Sequence, residues 1–443
     1  LSSSTLAASP DLSTAPSAWR TWRPRLWQAG ACLAFWAEVR LFTDLRNYYG
    51  PEVSPAVFCL TSILLGLFVL LYWLEDDTAL PTTPSARRYD VLLLAVVLGG
   101  VVLALKQGPI IDSIAIDLKS SDVIPILQTY VSRFRTGEVV YKYIYFSYPL
   151  FPNHLPMQWL PYVLADRAGV DYRWWGLMTL IVVGFGAYQW TLIRWVANWG
   201  ELLLKAALPA FLFWWIIDHD PHLYGETIET TIIAYYCLLA AAVLSRSPVL
   251  QAVALVCCLL SRYSVVLWVP LYMLILWFAA GKRHAVTVAL LTLVGIVGIY
   301  VWPFLSKDWT IFGHALREYK IATVGEWQRE NHLFNGVGFA GWFLKNTSGT
   351  ILEKINLMQK VHLGLSGVVV ALCGALCWRL RRRVDHRVLA LITLKWYLVV
   401  FYAFLQIPYT YLTSLVVFMS PFVLLVLPFV RRAVRPVAVA APV

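Results

Sequence analysis

The sequence predicts an all-α polytopic membrane protein. Three observations carry that expectation. Of 443 residues, 59% are hydrophobic and 14% are charged, where a soluble domain carries about a quarter charged residues. The apolar residues come in runs near the roughly 20 residues that cross a bilayer core of about 30 Å. Basic residues cluster between those runs, at Arg87-Arg88, Lys282-Arg283-His284, Arg379 to Arg383, and Arg431-Arg432 with Arg435. In a soluble chain a net charge of +11 would suggest nucleic acid. Here it follows the positive-inside pattern, and no nucleic-acid partner is expected.

Taken in order, residues 1–18 are rich in Ser, Thr, Ala and Pro and read as a poorly ordered tail without a cleavable signal peptide. Segment 26–44 carries Glu38 and Arg40 and either crosses or lies in the interface. Spans are expected near 55–74, 89–106, 173–194, 201–217, 226–244, 284–305, 362–380, 388–406 and 409–430. The apolar run 248–280 is too long for one crossing. It is interrupted at Ser261-Arg262-Tyr263-Ser264, which predicts two helices meeting outside the membrane at that break. The bundle therefore has 11 or 12 transmembrane helices. The seven cysteines lie in or beside apolar segments and read as buried thiols.

Parity gives an orientation. With Arg379 to Arg387 and Arg431 to Arg435 in the cytoplasm, every other basic cluster also falls inside, provided that Leu155 to Leu164 does not cross. That segment contains Pro156 and Pro161 and reads as a surface helix. The polar mass then forms two large outer loops, 107–172 and 306–361, carrying short surface helices. The N-terminal part, 1–88, is a tail plus one or two extra membrane helices. Residues 89–305 form a membrane module with the first outer loop. Residues 306–443 hold the second outer loop and the C-terminal membrane helices. No Gly-rich phosphate loop or cytoplasmic nucleotide fold is evident, so a cytoplasmic nucleotide substrate is not expected.

Within the first loop stand Ser-Asp-Val-Ile-Pro (121–125), Arg-Phe-Arg-Thr-Gly-Glu-Val-Val-Tyr (133–141) and Tyr-Pro-Leu-Phe-Pro-Asn-His-Leu-Pro-Met-Gln-Trp-Leu-Pro (148–161). Tyr-Gly-Glu (224–226), Ser-Arg-Tyr-Ser (261–264) and a large late loop follow. This order of features resembles the GT-C superfamily of polyprenyl-phosphate-sugar glycosyltransferases, in particular its bacterial mannosyltransferase-like branch. The resemblance covers roughly residues 89–430. The family often has a pair of adjacent acidic residues after the first span, whereas Asp122 has no acidic neighbour.

The resemblance implies a GT-C-like bundle in a bacterial cytoplasmic (inner) membrane, with its active site on the outer face. It implies inverting transfer of a monosaccharide, with mannose a candidate, from a polyprenyl-phosphate carrier to a glycolipid, glycan or protein acceptor. One carboxylate suffices as general base, because phosphate leaves without an acid; glycoside hydrolases use two carboxyl groups. Asp122 is the first candidate, with Asp117 and Asp112 as alternatives. Asp122 could equally cap the helix that follows it. Asp112 and Asp117 could pair with Lys106 or Lys119.

The donor phosphate calls for cations, and Arg262 interrupts an apolar run where a guanidinium is costly without a partner. Its alternative is interfacial snorkelling. Tyr263 stands beside it, and Lys320, His332, Arg317 and Arg329 supply charge from the second loop. Glu226, His154, Asn153, Tyr148 and Trp159 are candidates for sugar binding, by hydrogen bonding or stacking. The cluster Asp218-His219-Asp220-Pro221-His222 could hold Mn²⁺ or Mg²⁺ or form a capping turn; no metal ligand is assigned. Two other functions stay open, a transporter or flippase for lipid-linked sugars and an oligosaccharide ligase or polymerase. Only one helix break is visible, which argues against the paired breaks of transporters. A ligase would place its chemistry in the late loop and leave the Asp122 motif unexplained.

Overall fold

The computed structural model describes residues 18–75, 87–119, 121–146, 149–196, 198–329, 333–334 and 336–429. The chain is an all-α polytopic membrane protein. Its only described sheet is a two-stranded ladder in the first loop, β1 (Ile144–Tyr145) against β2 (Pro149–Leu150).

The first leg, α1 (Ala18–Arg40), turns through a π-helical stretch into α2 (Arg46–Glu75). Within α2 the chain kinks at Gly50, whose φ of 72° lies in the left-handed region that glycine tolerates. The two legs pack antiparallel: Trp27 stacks on Phe68 and Ser62 bonds Glu38. Segment 26–44 is thus a packed helix of the bundle, with Glu38 fully buried. A long leg, α3 (Arg87–Ser113), leads into the first loop region.

That region holds α4 (Val123–Arg135), α5 (Pro156–Trp159) and α6 (Tyr162–Arg167). Helices α5 and α6 have 4 and 6 residues, at about 1.5 Å rise each far too short to cross. The bundle resumes with α7 (Tyr172–Thr179) and α8 (Gly186–Trp195), joined by a π-helical stretch, then α9 (Trp199–Ala206) and α10 (Leu208–His219). Next come α11 (Glu229–Leu244), α12 (Pro248–Leu259), α13 (Trp268–Ala279) and α14 (Lys282–Ile296). The second loop region holds α15 (Ile311–Gln328) and α16 (Ala340–Asn346). Three helices close the fold, α17 (Ile351–Leu380), α18 (His386–Ala403) and α19 (Thr410–Leu425).

Among the described residues, seven helical units are long and apolar enough to cross a membrane, and four apolar helices are shorter. Burial sorts them. Helices α11, α18 and α19 are apolar all round and buried nearly throughout, as central helices must be. The apolar windows of α3, α14 and α17 are mostly exposed and face lipid. Close approach at the centre depends on small residues: a Cβ on Gly66 of α2 would meet the Trp396 indole of α18 at 2.5 Å.

The two ends of the bundle differ. At one end the loop regions pack together, with Tyr141 and Trp159 of the first against Phe304, and Tyr143 Oη donating to Glu318 of the second at 3.0 Å. The 220–226 turn joins them through Arg173, whose guanidinium donates to the Ile114 and Gly225 carbonyls. At the other end, Arg88 donates to the Val196 carbonyl and Arg387 to that of Leu244. His284 pairs there with Gln251. Loops and basic clusters thus sort to opposite ends, as parity requires. The cluster at 431–435 lies outside the described residues.

The run 248–280 does split into two helices. Each has 12 residues, about 18 Å of rise, against a core of about 30 Å. Both begin or end at the basic face, so the turn joining them stops short of the opposite surface and does not reach the outside, where the sequence reading placed it. Non-helical backbone at such depth needs protein or a cavity around it.

Candidate functional site

That sunken turn forms the floor of a cavity of about 410 Å³ between the two loop regions and the bundle. Four expected residues meet there: Asn153 and His154 from the first loop, Arg262 and Tyr263 from the turn. They arrive by separate local devices. Arg262 takes an extended conformation (φ −152°, ψ 148°) between α12 and a 3-10 turn. Leu260 accepts from Met157 N at 2.9 Å, and Gln158 donates to Ser261 O, which ties the start of α5 to the break.

His154 is held by an aromatic frame. Tyr130 Oη lies 3.2 Å from its Nδ1, Tyr141 Oη donates to its carbonyl at 3.1 Å, and Trp159 Nε1 donates to Tyr141 Oη at 3.3 Å. Burial pushes the His154 imidazole down to about 4, the Asp122 carboxylate pulls it up and Arg262 lowers it further. His154 is therefore a neutral imidazole near pH 7.

Asp122 is half-buried beside the cavity, and the next residue, Val123, lines it. It stands at the N-cap position of α4, yet its carboxylate takes none of that helix's amides. The capping alternative is therefore not what holds it. Its field reaches His154, Tyr409 and Tyr411. Asp117 instead accepts from Lys119 N at 2.9 Å and shapes a turn, and Asp112 is exposed at the end of α3.

The 133–141 motif has a structural explanation. Helix α4 ends in a glycine cap: Gly137 has φ 75°, Glu138 N donates to Arg133 O at 2.8 Å and Gly137 N to Phe134 O at 3.3 Å. The Arg133 guanidinium then bonds the carbonyls of Val140, Lys142 and Tyr143, clamping the loop that follows. Arg133, Gly137 and Tyr141 position the wall of the cavity without lining it.

Several expected site residues stand elsewhere. Trp159 is fully buried among Tyr130, Phe134 and Phe304, so its faces are packed rather than open to a sugar. Glu226 faces a separate, water-sized hollow with Arg173 and Ser121. Arg317 and Lys320 are exposed on α15, because the helix turns Phe312, Leu316 and Tyr319 toward the cavity instead. Arg329 is exposed and pairs with Glu326 at 3.7 Å. Tyr148 and His332 lie outside the described residues. The 218–222 cluster is ion-paired: Asp218 to Lys106 at 2.6 Å, Asp220 to Arg46 at 3.3 Å, and His219 beside Asp44 at 3.5 Å. Among the described residues, no three His, Cys, Asp or Glu side chains cluster as a metal site.

The sequence reading missed Glu229. It is 2% exposed, lines the cavity, and takes the Arg262 fork in two bonds, Nη1 to Oε1 at 2.9 Å and Nη2 to Oε2 at 2.5 Å. Its signal was visible: a carboxylate at the mouth of an apolar span, three residues beyond Glu226 and nearly one helical turn away. Tyr319, on the charged helix α15, and His362, Tyr402 and Gln406, in or just beyond apolar helices, were also missed.

No protein-family model matches the chain, and neither does any curated protein or solved structure. The arrangement speaks for itself chemically. The lining pairs one carboxylate with one guanidinium, two imidazoles, four tyrosines and several amides and hydroxyls. Such a wall offers hydrogen-bond donors and acceptors beside aromatic faces, with one ion pair among them.

Proposed function

We propose that the chain is an integral-membrane inverting glycosyltransferase of GT-C type, taking a monosaccharide from a polyprenyl-phosphate carrier. The observation that supports this best is the cavity itself. It collects Asn153, His154, Arg262 and Tyr263 from distant parts of the sequence and has Asp122 at its edge. In this reading Asp122 takes the proton of the acceptor hydroxyl. The acceptor oxygen forms its bond to the anomeric carbon as the bond to the phosphate oxygen breaks, and polyprenyl phosphate leaves with the electron pair. The neutral His154 orients the acceptor or the sugar by hydrogen bonding.

Arg262 binds the donor phosphate in this reading by exchanging a partner. A guanidinium has five N–H donors, and Glu229 holds the two-pronged face. A phosphate oxygen pair has the same bidentate geometry as a carboxylate, so Glu229 occupies the place a phosphate would take. Phe312 and Leu316 line the cavity and are also exposed, which offers an apolar side for the lipid chain. The active site faces the outer side of a bacterial cytoplasmic membrane, where polyprenyl-phosphate sugars are used.

The test is transfer of radiolabelled sugar from a panel of polyprenyl-phosphate monosaccharides by purified protein in nanodiscs. Transfer with the wild type and none with Asp122→Asn is expected. Movement of intact lipid-linked sugar across vesicles without transfer would replace the reading with transport. The facing is tested by single cysteines at the exposed positions Ser132 and Ser348 in a cysteine-free background. An impermeant reagent should label both in intact cells; labelling of neither would invert the orientation.

A further inference from the structure

The basic end of the bundle carries charge that the fold itself leaves unanswered. At the loop end Arg46, Lys106 and Arg135 each face a carboxylate, of Asp220, Asp218 and Asp166. At the basic end Lys282, Arg283, Arg379, Arg381, Arg382 and Arg383 are all exposed, and none has an acidic partner among the described residues. The nearby carboxylate of Asp385 is taken by Arg387 in two bonds, Nε to Oδ1 at 3.1 Å and Nη2 to Oδ2 at 2.8 Å. Like charges crowded on short segments repel, so a counter-charge from outside the chain is favoured there.

Two of these cations are held in place. Helix α13 gives way to a turn at Gly281, whose φ of 105° suits glycine and whose N donates to Leu276 O at 2.9 Å. That turn brings Lys282 back over Trp277, its Nζ 5.4 Å from the ring centroid. On α17 the Arg381 guanidinium lies over Trp378, 3.5 Å from the centroid. The two stacks meet through Phe278, next to Trp277, whose ring stands edge-on to Trp378 with centroids 5.4 Å apart. Stacking of this kind fixes a charge and leaves its N–H donors open. Tryptophans with basic residues at the end of apolar helices mark the height of the lipid headgroups.

Toward the middle of the bundle the same surface turns apolar. Leu274 and Phe278 lie one turn apart and exposed on α13, and Val368 and Leu372 do the same on α17. The two helices run close together there, since a Cβ on Gly374 would stand 3.6 Å from the Leu271 side chain. A cationic patch thus caps an exposed apolar strip, the layout that a headgroup and its chains require.

We propose that the junction of α13, α14 and α17 binds an anionic phospholipid, its phosphate held by Lys282 and Arg381 and its acyl chains laid along Leu274, Phe278 and Leu372. A lipid suits the place better than a soluble anion because the cations border apolar surface. The site lies at the opposite end from the cavity and does not depend on the transferase reading.

The experiment is native mass spectrometry of the detergent-purified full chain titrated with phosphatidylglycerol, with phosphatidylcholine as the neutral control. Saturable binding of phosphatidylglycerol well above phosphatidylcholine is expected. Lys282→Gln and Arg381→Gln should each weaken it about fivefold. Trp378→Leu keeps every charge, removes the stack, and should weaken it as well. Arg317→Gln combined with Lys320→Gln removes exposed charge at the loop end and should leave the affinity alone. The rise in thermal midpoint that phosphatidylglycerol gives the wild type should shrink in the first three variants and persist in the last.

Equal binding of the two lipids, or equal losses from charge removed at either end, would overturn the site and leave only diffuse attraction to a charged surface. Full affinity in the folded Lys282→Gln, Arg381→Gln or Trp378→Leu protein would overturn it too. Ready displacement of the lipid by inorganic phosphate or by a glutamate-rich peptide would assign the patch to a soluble anion instead.

Discussion

Two of the buried ion pairs among the described residues do different things. Glu38 and Lys395 are 0% exposed and lie in the packed bundle. Lys395 Nζ donates to Glu38, Ser420 Oγ and the Val416 carbonyl, while Glu38 also accepts from Ser62 and Ser420. Four helices, α1, α2, α18 and α19, meet on these two charges, and every neighbour is another part of the chain. Glu229 and Arg262 share the same chemistry but border a cavity large enough for a sugar. Charges closed in by their own fold set the register of helices. Charges bordering a cavity remain able to change partner.

The largest expected effect lies on the cavity side. Asp122→Asn should lower transfer by about 10²–10⁴ while donor binding and the thermal midpoint hold. If that variant turns over normally and Glu229→Gln is dead, the base is Glu229, and the cavity pair is catalytic in its own right.

Breaking the closed pair should cost stability instead. Lys395→Met leaves a carboxylate in the bundle, a loss of about 3–5 kcal/mol readable as a large fall in thermal midpoint. The double variant with Glu38→Leu should recover much of it. Arg262→Ala should destabilise less, because water in the cavity can solvate Glu229, yet it should abolish donor binding. Equal destabilisation by the two single variants would erase the distinction between the pairs.

Glu229→Gln sharpens it further. A neutral amide competes poorly for the guanidinium, so donor affinity should rise by several-fold in a scintillation or calorimetric titration. A fall would mean that the pair acts as a unit.

A further effect, confined to acid pH, is a pH dependence. His154 titrates near 4 in the fold against about 6.5 unfolded. Between those values the unfolded chain binds the extra proton, so stability falls as pH drops from 6.5 toward 4, by up to about 3 kcal/mol. The thermal midpoint of a His154→Gln variant should lose that slope. Asp122→Asn should steepen it, since the carboxylate otherwise helps His154 hold a proton.

The sequence made the bundle legible because lipid leaves few choices: apolar length, basic punctuation and the Arg262 break each fix a helix or an end. Leu155 to Leu164 was readable as non-crossing from its two prolines and its length. The site was legible only where a polar residue interrupts an apolar run, as at Arg262. Glu229 escaped because the expected span 226–244 opens with both Glu226 and Glu229, and periodicity alone does not say which of the two faces inward. Lys320 and Arg317 drew attention as charges, but on α15 the cavity face is set by Phe312, Leu316 and Tyr319, one helical turn apart. The Arg133-Gly137 pattern stood out for its spacing, and that spacing belongs to a helix cap and a loop clamp.

The Glu38–Lys395 pair also bears on how the chain is made. Its members are 357 residues apart, so Glu38 is synthesised long before the cation that α18 brings. Until then α1 carries a carboxylate in an apolar setting, where an ionisable group costs about 2.5–3.5 kcal/mol on insertion scales. Helices α18 and α19 are thus inserted after α1 and α2, and they slot into a bundle already holding a waiting charge. A chain interrupted before α18 keeps that charge unmatched, so an unfinished protein differs electrically from a finished one at the centre of its own core.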